Sequence, residues 1–362
     1  MDFFPSRTLA FYMAKMFIIR TLAVLALLVL VLQALDLLGE SGRILAHPGN
    51  GEAELWTYVS LRAPQLVARF LPFSVLLGTI ITLATLNQNS EVISMKAGGL
   101  SAHQILAPLI VASMGVALFS FLFNETLVAP ASARLAQWEK VEFGPIPAES
   151  NIRTNIWVKD GNNLINARTV TGRGKDVRLQ DITIYNRTEN GLRSLLQGDQ
   201  ARFTDSGWLL TNVTRFDVTT GTEEKQAELL IGDSIRPDQF TLANVSADSL
   251  SIFALHTAIE ELEQAGRPTM GLKAGWWHKI SGPMSSMLMP LLGAVAAFGL
   301  ARSGQLFLRA VIGMALGFTY FVADNFALAM GNIGAYPTLL AAWAPFLLFF
   351  LIGETVLVRT EE

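Results

Sequence analysis

Three carboxylates stand where carboxylates are costly. Asp36 interrupts TLAVLALLVLVLQALDLL (21–38), Asp324 sits inside the apolar run Ala310–Ala329, and Glu354 lies near the end of Tyr336–Val358. A charge at mid-bilayer costs about 2.5–3.5 kcal/mol on insertion scales, so such residues face a bundle interior, a water-filled cavity or the interface. For Asp36 and Asp324 a cavity and a helix-pair role both fit. Glu354, five residues before Arg359, reads as interfacial.

Other reactive residues form no constellation. GRGK (172–175) lacks the upstream glycine of a phosphate-binding loop and is followed by Asp176. GLSAH (99–103) half-resembles a nucleophile elbow, but His103 replaces the final glycine. His47, His103, His256 and His278 fall in different regions. His256 and Glu260 are four apart on a helix, and such a pair reads as a surface contact rather than a metal site. There is no cysteine, which removes disulfides, thiolate metal sites and thiol nucleophiles. A net charge of −3 leaves no basic face for nucleic acid.

The elements that would position these residues are mostly apolar. The chain has 362 residues, 51% of them hydrophobic and 16% charged, against about 25% charged in soluble domains. The charges cluster: residues 139–250 hold 13 Lys+Arg and 16 Asp+Glu. A bilayer core of roughly 30 Å needs about 20 apolar residues of helix. Six stretches qualify: Thr21–Leu38, Phe70–Leu86, Ile105–Phe123, Ile280–Ala301, Ala310–Ala329 and Tyr336–Val358. Pro64 suits the first turn of the second helix. No small-residue cleavage site follows the first span, so it reads as retained. Gly313-x-x-x-Gly317 suits ordinary close helix packing.

Orientation follows from Lys and Arg near the span ends. With the N-terminus inside, Arg7, Lys15, Arg20, Lys96, Arg302, Arg309 and Arg359 are cytoplasmic, against Arg43, Arg62 and Arg69 outside. Both termini are then inside and the polar insert outside. The expected organisation is spans one to three in 1–138, an insert in 139–250, an amphipathic connecting helix in 251–272, and spans four to six in 273–362.

The insert reads as β. Asp160–Gly161–Asn162–Asn163 and Asn190–Gly191 are hairpin turn signals. Ile182 and Ile184 share a face, and GWLLTNVTRFDVTTG (207–221) alternates around Leu209, Val213, Phe216 and Val218. After it, Leu250, Phe253, Ile259 and Leu262 outline an amphipathic helix stopped by Gly266.

NQNSEVISMKAGGLSAHQI (87–105) joins spans two and three. Asn89 or Ser90 can cap a short helix there, Glu91 suits its positive start, Lys96 its end, and Gly98 can close it. By these residues alone it is either a plain connector or a docking helix, with Val92 and Met95 on one side.

The whole pattern resembles the LptF/LptG permease family of lipopolysaccharide export. The likeness rests on three spans, a β insert and three spans, on SEVISMKAGG after span two, on WVKDGNNLI in the insert, and on WHKISGPMSSMLM (276–288) with the Asp324 region. It covers nearly the whole chain and is nearer the LptG branch than the LptF branch. The resemblance implies a membrane α-helical protein with an inserted all-β periplasmic jelly-roll-like domain, in the bacterial inner membrane. It implies a permease subunit that extracts lipopolysaccharide and passes it toward the outer membrane, paired with LptF, seated on a dimer of the ATPase LptB, and delivering to LptC. This chain would hold no cofactor; ATP and magnesium would bind the ATPase. The segment near 90–98 becomes a coupling helix, with Glu91, Val92, Met95 and Lys96 meeting the ATPase. Leu32, Gln33, Asp36, Arg43, Phe70 and Asp324 become lipid-cavity residues. One departure stands out: Gln33, Gly39 and Glu40 occupy places where the family often carries lysines, leaving only Arg43 basic. The rival expectation is a non-transport anchor that displays the β domain to partners.

Overall fold

The computed structural model describes residues 6–145, 153–160, 163–172, 176–188, 191–204, 207–218, 220–231, 237, 240, 246–264, 268–298 and 306–359. They divide into two compact units, one of helices and one built on a sheet.

The helical unit contains α1 (Arg7–Ala46), α2 (Glu52–Gln88), α3 (Glu91–Ala97) and α4 (Ala102–Phe123). A π-helical turn, Asn124–Val128, joins α4 to α5 (Ala129–Lys140). After the sheet come α6 (Ile252–Gln264), which runs from one unit into the other, α7 (Met270–Phe298), α8 (Leu306–Asn332) and α9 (Thr338–Arg359). Among the described residues, six helical stretches are long and apolar enough to cross a membrane, with α4, the π turn and α5 forming one continuous stretch.

Several helices outrun their apolar windows. α1 has 40 residues and α2 has 37, so each extends about 55–60 Å at 1.5 Å per residue. The apolar window marks only the part that needs hydrocarbon. Pro64 is therefore not a first-turn proline: α2 begins at Glu52 and carries both Pro64 and Pro72 inside it. The C-terminal limit expected for the fourth span, Ala301, falls outside the described residues.

The main core joins all the long helices. Met13 and Phe17 of α1, Leu76 and Leu83 of α2, Ile105 and Leu109 of α4, Leu288 and Leu292 of α7, Tyr320 of α8 and Phe349 of α9 are buried together. Glycine sets the close approaches. A Cβ on Gly313 would meet Ile80 and Ala296, and one on Gly317 would meet Leu76. The Gly-x-x-x-Gly seam of α8 therefore faces α2 and α7 of the same chain.

The second unit holds an antiparallel six-stranded sheet in sequence order: β1 (Arg153–Asp160), β2 (Asn163–Thr171), β3 (Arg178–Thr188), β4 (Gly191–Thr204), β5 (Gly207–Asp217) and β6 (Thr222–Ile231). Every described pairing joins sequence neighbours, as in a meander. The two-residue tip Gly161–Asn162, Asn190 and Gly266 lie outside the described residues.

A crease crosses this sheet and moves the inward phase. Buried positions are Ala167 then Val170, Leu179 then Ile182, and Leu210 then Val213, three apart rather than two. Asp181 and Asn212 have φ of 49° and 52°, a left-handed conformation that short polar side chains tolerate. Arg168 reaches Asp181 at 3.4 Å, and Asn212 donates to Asp199 at 3.0 Å. This corrects the alternation expected in β5. Trp208, Leu210 and Val213 face the core, whereas Phe216 and Val218 are exposed. Ile182 and Ile184 are both buried as expected. In α6, Leu255, Ala258, Ile259 and Leu262 form the buried stripe and Phe253 is exposed, so the expected apolar face is rotated.

Candidate functional site: a polar chamber in the helical unit and the α2–α4 connection

Asp36 is a helix-pair residue. Its carboxylate accepts from Tyr58 OH at 2.6 Å and from the Nε and a terminal nitrogen of Arg62, each at 3.1 Å. Arg62 also donates to Gln65 at 2.8 Å. A forked guanidinium–carboxylate contact is among the stronger side-chain pairs, and this one clamps α1 to α2. Both side chains are part-buried, 29% and 23% exposed, so removing either partner leaves the other charge incompletely solvated.

Its neighbours on α1 are differently disposed. Gln33 is buried, and neither amide atom has a hydrogen-bond partner among the described residues. Leu32 is half-buried, while Leu35 and Leu38 are exposed. Arg43 is tied to Glu40 at 2.8 Å and lies over the Phe143 ring. Phe70 on α2 is half-buried against Phe73.

Asp324 lies elsewhere, in a cavity of about 440 Å³ lined mainly by α2, α7, α8 and the α4–α5 junction. His278 Nε2 of α7 is 3.0 Å from its carboxylate. Lys279, the next residue, donates to Glu125 at 3.2 Å, and both side chains are nearly buried, at 11% and 14% exposure. The other Glu125 oxygen accepts from the backbone N–H of Ile252 at 2.6 Å, at the first turn of α6. An anion there complements the helix dipole. Glu125 can serve both partners because it sits in the π-helical turn, a backbone irregularity that re-aims side chains and is frequent at functional sites. Phe73 of α2 and Phe321 of α8 form one wall, edge to face with centroids 5.3 Å apart. Arg69 and Asp248 are exposed lining residues. Of the expected lipid-cavity residues, Asp324 lines this chamber and Leu32, Gln33, Asp36, Arg43 and Phe70 do not.

The expected coupling residues divide between inside and outside. Ser90 precedes α3 with φ 59° and makes no side-chain cap. Glu91 accepts from Asn89 at 3.2 Å and from Tyr12 of α1 at 3.4 Å. Val92 and Met95 are buried in the main core, so their apolar contact is already made within the chain. That overturns the expectation that they present a buried contact to a partner. The outward face instead carries Ile93, 63% exposed, with Lys96 and Ala97. Gly99, with φ 86°, takes the left-handed closing position rather than Gly98. Ser101 then caps α4 through a capping box with Gln104; this role fits GLSAH as well as its failed nucleophile pattern does. Glu354 pairs with His103 at 3.3 Å, both partly exposed, joining α9 to α4.

Tyr58, Arg62, Glu125, His278 and Lys279 were not singled out by spacing. Each is a polar group at the margin of an apolar stretch, and that margin was the available signal. The partners that tie them to other helices lie between 22 and 154 residues away in sequence, beyond the reach of periodicity.

The sequence profile described as "Lipopolysaccharide export system permease LptF/LptG" matches residues 11–359. The chain is similar to the lipopolysaccharide export system permease protein LptG of Escherichia coli strain K12, 28% identical over 308 residues, covering 83% of this chain and 84% of that protein. It is also similar to the protein of the same description from Haemophilus influenzae, 26% identical over 326 residues, covering 87% and 89%.

Proposed function

This chain belongs to the LptF/LptG family of lipopolysaccharide export permeases, and we propose that it pairs with LptF on a dimer of the ATPase LptB and hands lipopolysaccharide to LptC. That it is a multi-pass, lipopolysaccharide-exporting permease subunit follows from the family and from its LptG relatives. The anchor reading is correspondingly disfavoured. In the proposed arrangement both termini and α3 are cytoplasmic and the sheet unit is periplasmic, as the Lys/Arg bias favours. ATP and magnesium bind the ATPase, and this chain contributes no cofactor.

The observation that carries the coupling role is the division of α3 into two faces. Val92 and Met95 fasten it to the core, while Ile93 stands 63% exposed beside Glu91 and Lys96. A short helix fixed on one side, with an exposed apolar residue on the other, can transmit a push without reorganising. Ile93 fills a groove on the ATPase, and Glu91, held by Tyr12, meets a basic group at its rim.

The test is recovery of the ATPase with the tagged chain from native membranes, followed by ATP turnover. Ile93→Asp and Glu91→Lys are expected to lower both by about tenfold or more, since an unmatched charge at a contact costs several kcal/mol. Normal recovery and turnover in both variants would reduce α3 to a connector.

A further inference from the structure

The segment that opens α6 is fastened to its helical neighbours at three points. Residues 247–256 belong to the helical unit, and α6 carries the chain from there into the sheet unit at Thr257. Gly275 of α7 lies so close to Ala247 that an added Cβ would collide with it. His256 packs on the ring of Trp276, with centroids 6.0 Å apart. Between these two contacts Glu125 accepts from the backbone N–H of Ile252 at 2.6 Å, across 127 residues of sequence.

That hydrogen bond is not needed to start the helix. The Ser251 hydroxyl already accepts from Ala254 N–H at 3.3 Å, as a local cap does. The Ser251 carbonyl accepts from Leu255 N–H at 2.8 Å. Ile252 is then the first helical residue, and its N–H has no partner within the helix. What Glu125 adds is attachment. Its other oxygen is taken by Lys279 at 3.2 Å, so one carboxylate joins α6, α7 and the π turn. A hydrogen bond with an ionised acceptor is roughly twice as strong as a neutral one, and this one meets the positive end of the helix dipole.

The same carboxylate stands at the opposite end of α4 from α3. α4 begins at Ala102, shortly after α3 ends at Ala97, and it ends at Phe123, just before the π turn that holds Glu125. Its 22 residues extend about 33 Å. Beyond Thr257, α6 is held within the sheet unit, where Leu262 is buried and Glu263 accepts from Thr269 at 3.0 Å. One helix therefore leads from α3 to Glu125, and one helix leads from Glu125 into the sheet unit.

We propose that Glu125 is a positioning residue for lipid hand-off: its bond to Ile252 carries displacement of α4 into α6 and so into the sheet unit. The inference rests on the export reading above and adds a mechanical link between ATP turnover and the hand-off step. Glu125 acts through α6 and need not touch the lipid.

Proline at position 252 separates this role from simple packing. A proline is well tolerated at the first helical residue, and its missing N–H removes the bond to Glu125. Ile252→Ala trims the same side chain and keeps the N–H. The full chain is reconstituted in nanodiscs with its partner permease and the ATPase, and ATP turnover and lipopolysaccharide transfer to LptC are measured together. Ile252→Pro is expected to keep wild-type turnover while transfer per ATP falls about tenfold, the scale of one hydrogen bond to a charged group. Ile252→Ala should transfer as the wild type does. Glu125→Leu combined with Lys279→Met removes the acceptor instead and replaces the ion pair by apolar side chains, a change that is often mild. It should give the same split. A fluorophore on Glu261→Cys, exposed on α6 of a chain without cysteine, should respond to ATP in the wild type and not in Ile252→Pro. Unchanged transfer, or an equal fluorophore response, in Ile252→Pro would overturn the proposal. A parallel loss of turnover and transfer in both variants would overturn it too, by making Glu125 a structural residue. A wild type that turns over ATP but transfers no lipopolysaccharide would instead remove the export reading itself.

Discussion

Lys279 of α7 donates to Glu125 of the π-helical turn at 3.2 Å, across 154 residues of sequence, with both side chains almost withdrawn from solvent. Breaking a buried pair from one side strands the other charge and costs about 3–5 kcal/mol, whereas replacing both partners is often far milder. Lys279→Met should therefore destabilise the protein strongly. Adding Glu125→Gln should recover part of the loss, since the amide oxygen still accepts from Ile252 N–H. Denaturant unfolding in detergent micelles, followed by tryptophan emission, reads both. Additive losses in the double variant would show that the two residues do not act as a pair.

Burial divides α1 into two faces, and Gln33 lies on the inward one. Gln33 is 9% exposed and Leu35 is 64% exposed. A photo-crosslinking residue at Leu35 should capture glycolipid in cells, and one at Gln33 should yield intramolecular products instead. Leu348 of α9, 54% exposed, supplies the bilayer control and should capture glycolipid less than Leu35. Equal capture at Leu35 and Leu348 would reduce the α1 face to ordinary bilayer contact.

Gly317 faces Leu76 so closely that an added Cβ would collide with it. Gly317→Leu should cost about 1–3 kcal/mol by overpacking, while Gly115, where an added Cβ would meet no described residue within 4 Å, should accept alanine without loss. Thermal stability of the two variants in detergent gives the comparison. Similar melting temperatures would remove the α2–α8 seam from the packing account.

Because the chain lacks cysteine, topology can be read with single additions. In cells with a permeabilised outer membrane, an impermeant thiol reagent should label Glu223→Cys on β6 and spare Ala97→Cys at the end of α3. Both wild-type residues are exposed, so accessibility within the fold does not confound the readout. The reverse pattern would invert the proposed orientation.

Sequence alone was sufficient for the six spans and the β insert. Hydrocarbon demands long apolar helices, and hairpin turns carry their own residue signals. Composition also ruled out thiol chemistry outright. It was insufficient wherever two faces of one element competed. In α3 both Val92/Met95 and Ile93/Ala97 follow helical spacing, and only the surrounding core, with Met13 and Leu86, decides that the first pair turns inward. In β5 the left-handed Asn212 shifts the alternation, because one off-pattern dihedral moves every later side chain to the other face. The same limit governs the charges. The sequence announced Asp36 and Asp324 as costly, since a lone acid in an apolar run needs a partner. Which partner each has is decided by helix packing: Arg62 and Tyr58 for Asp36, His278 for Asp324. Desolvation is a local demand legible in one segment, whereas the group that answers it comes from wherever the chain's packing brings a second helix.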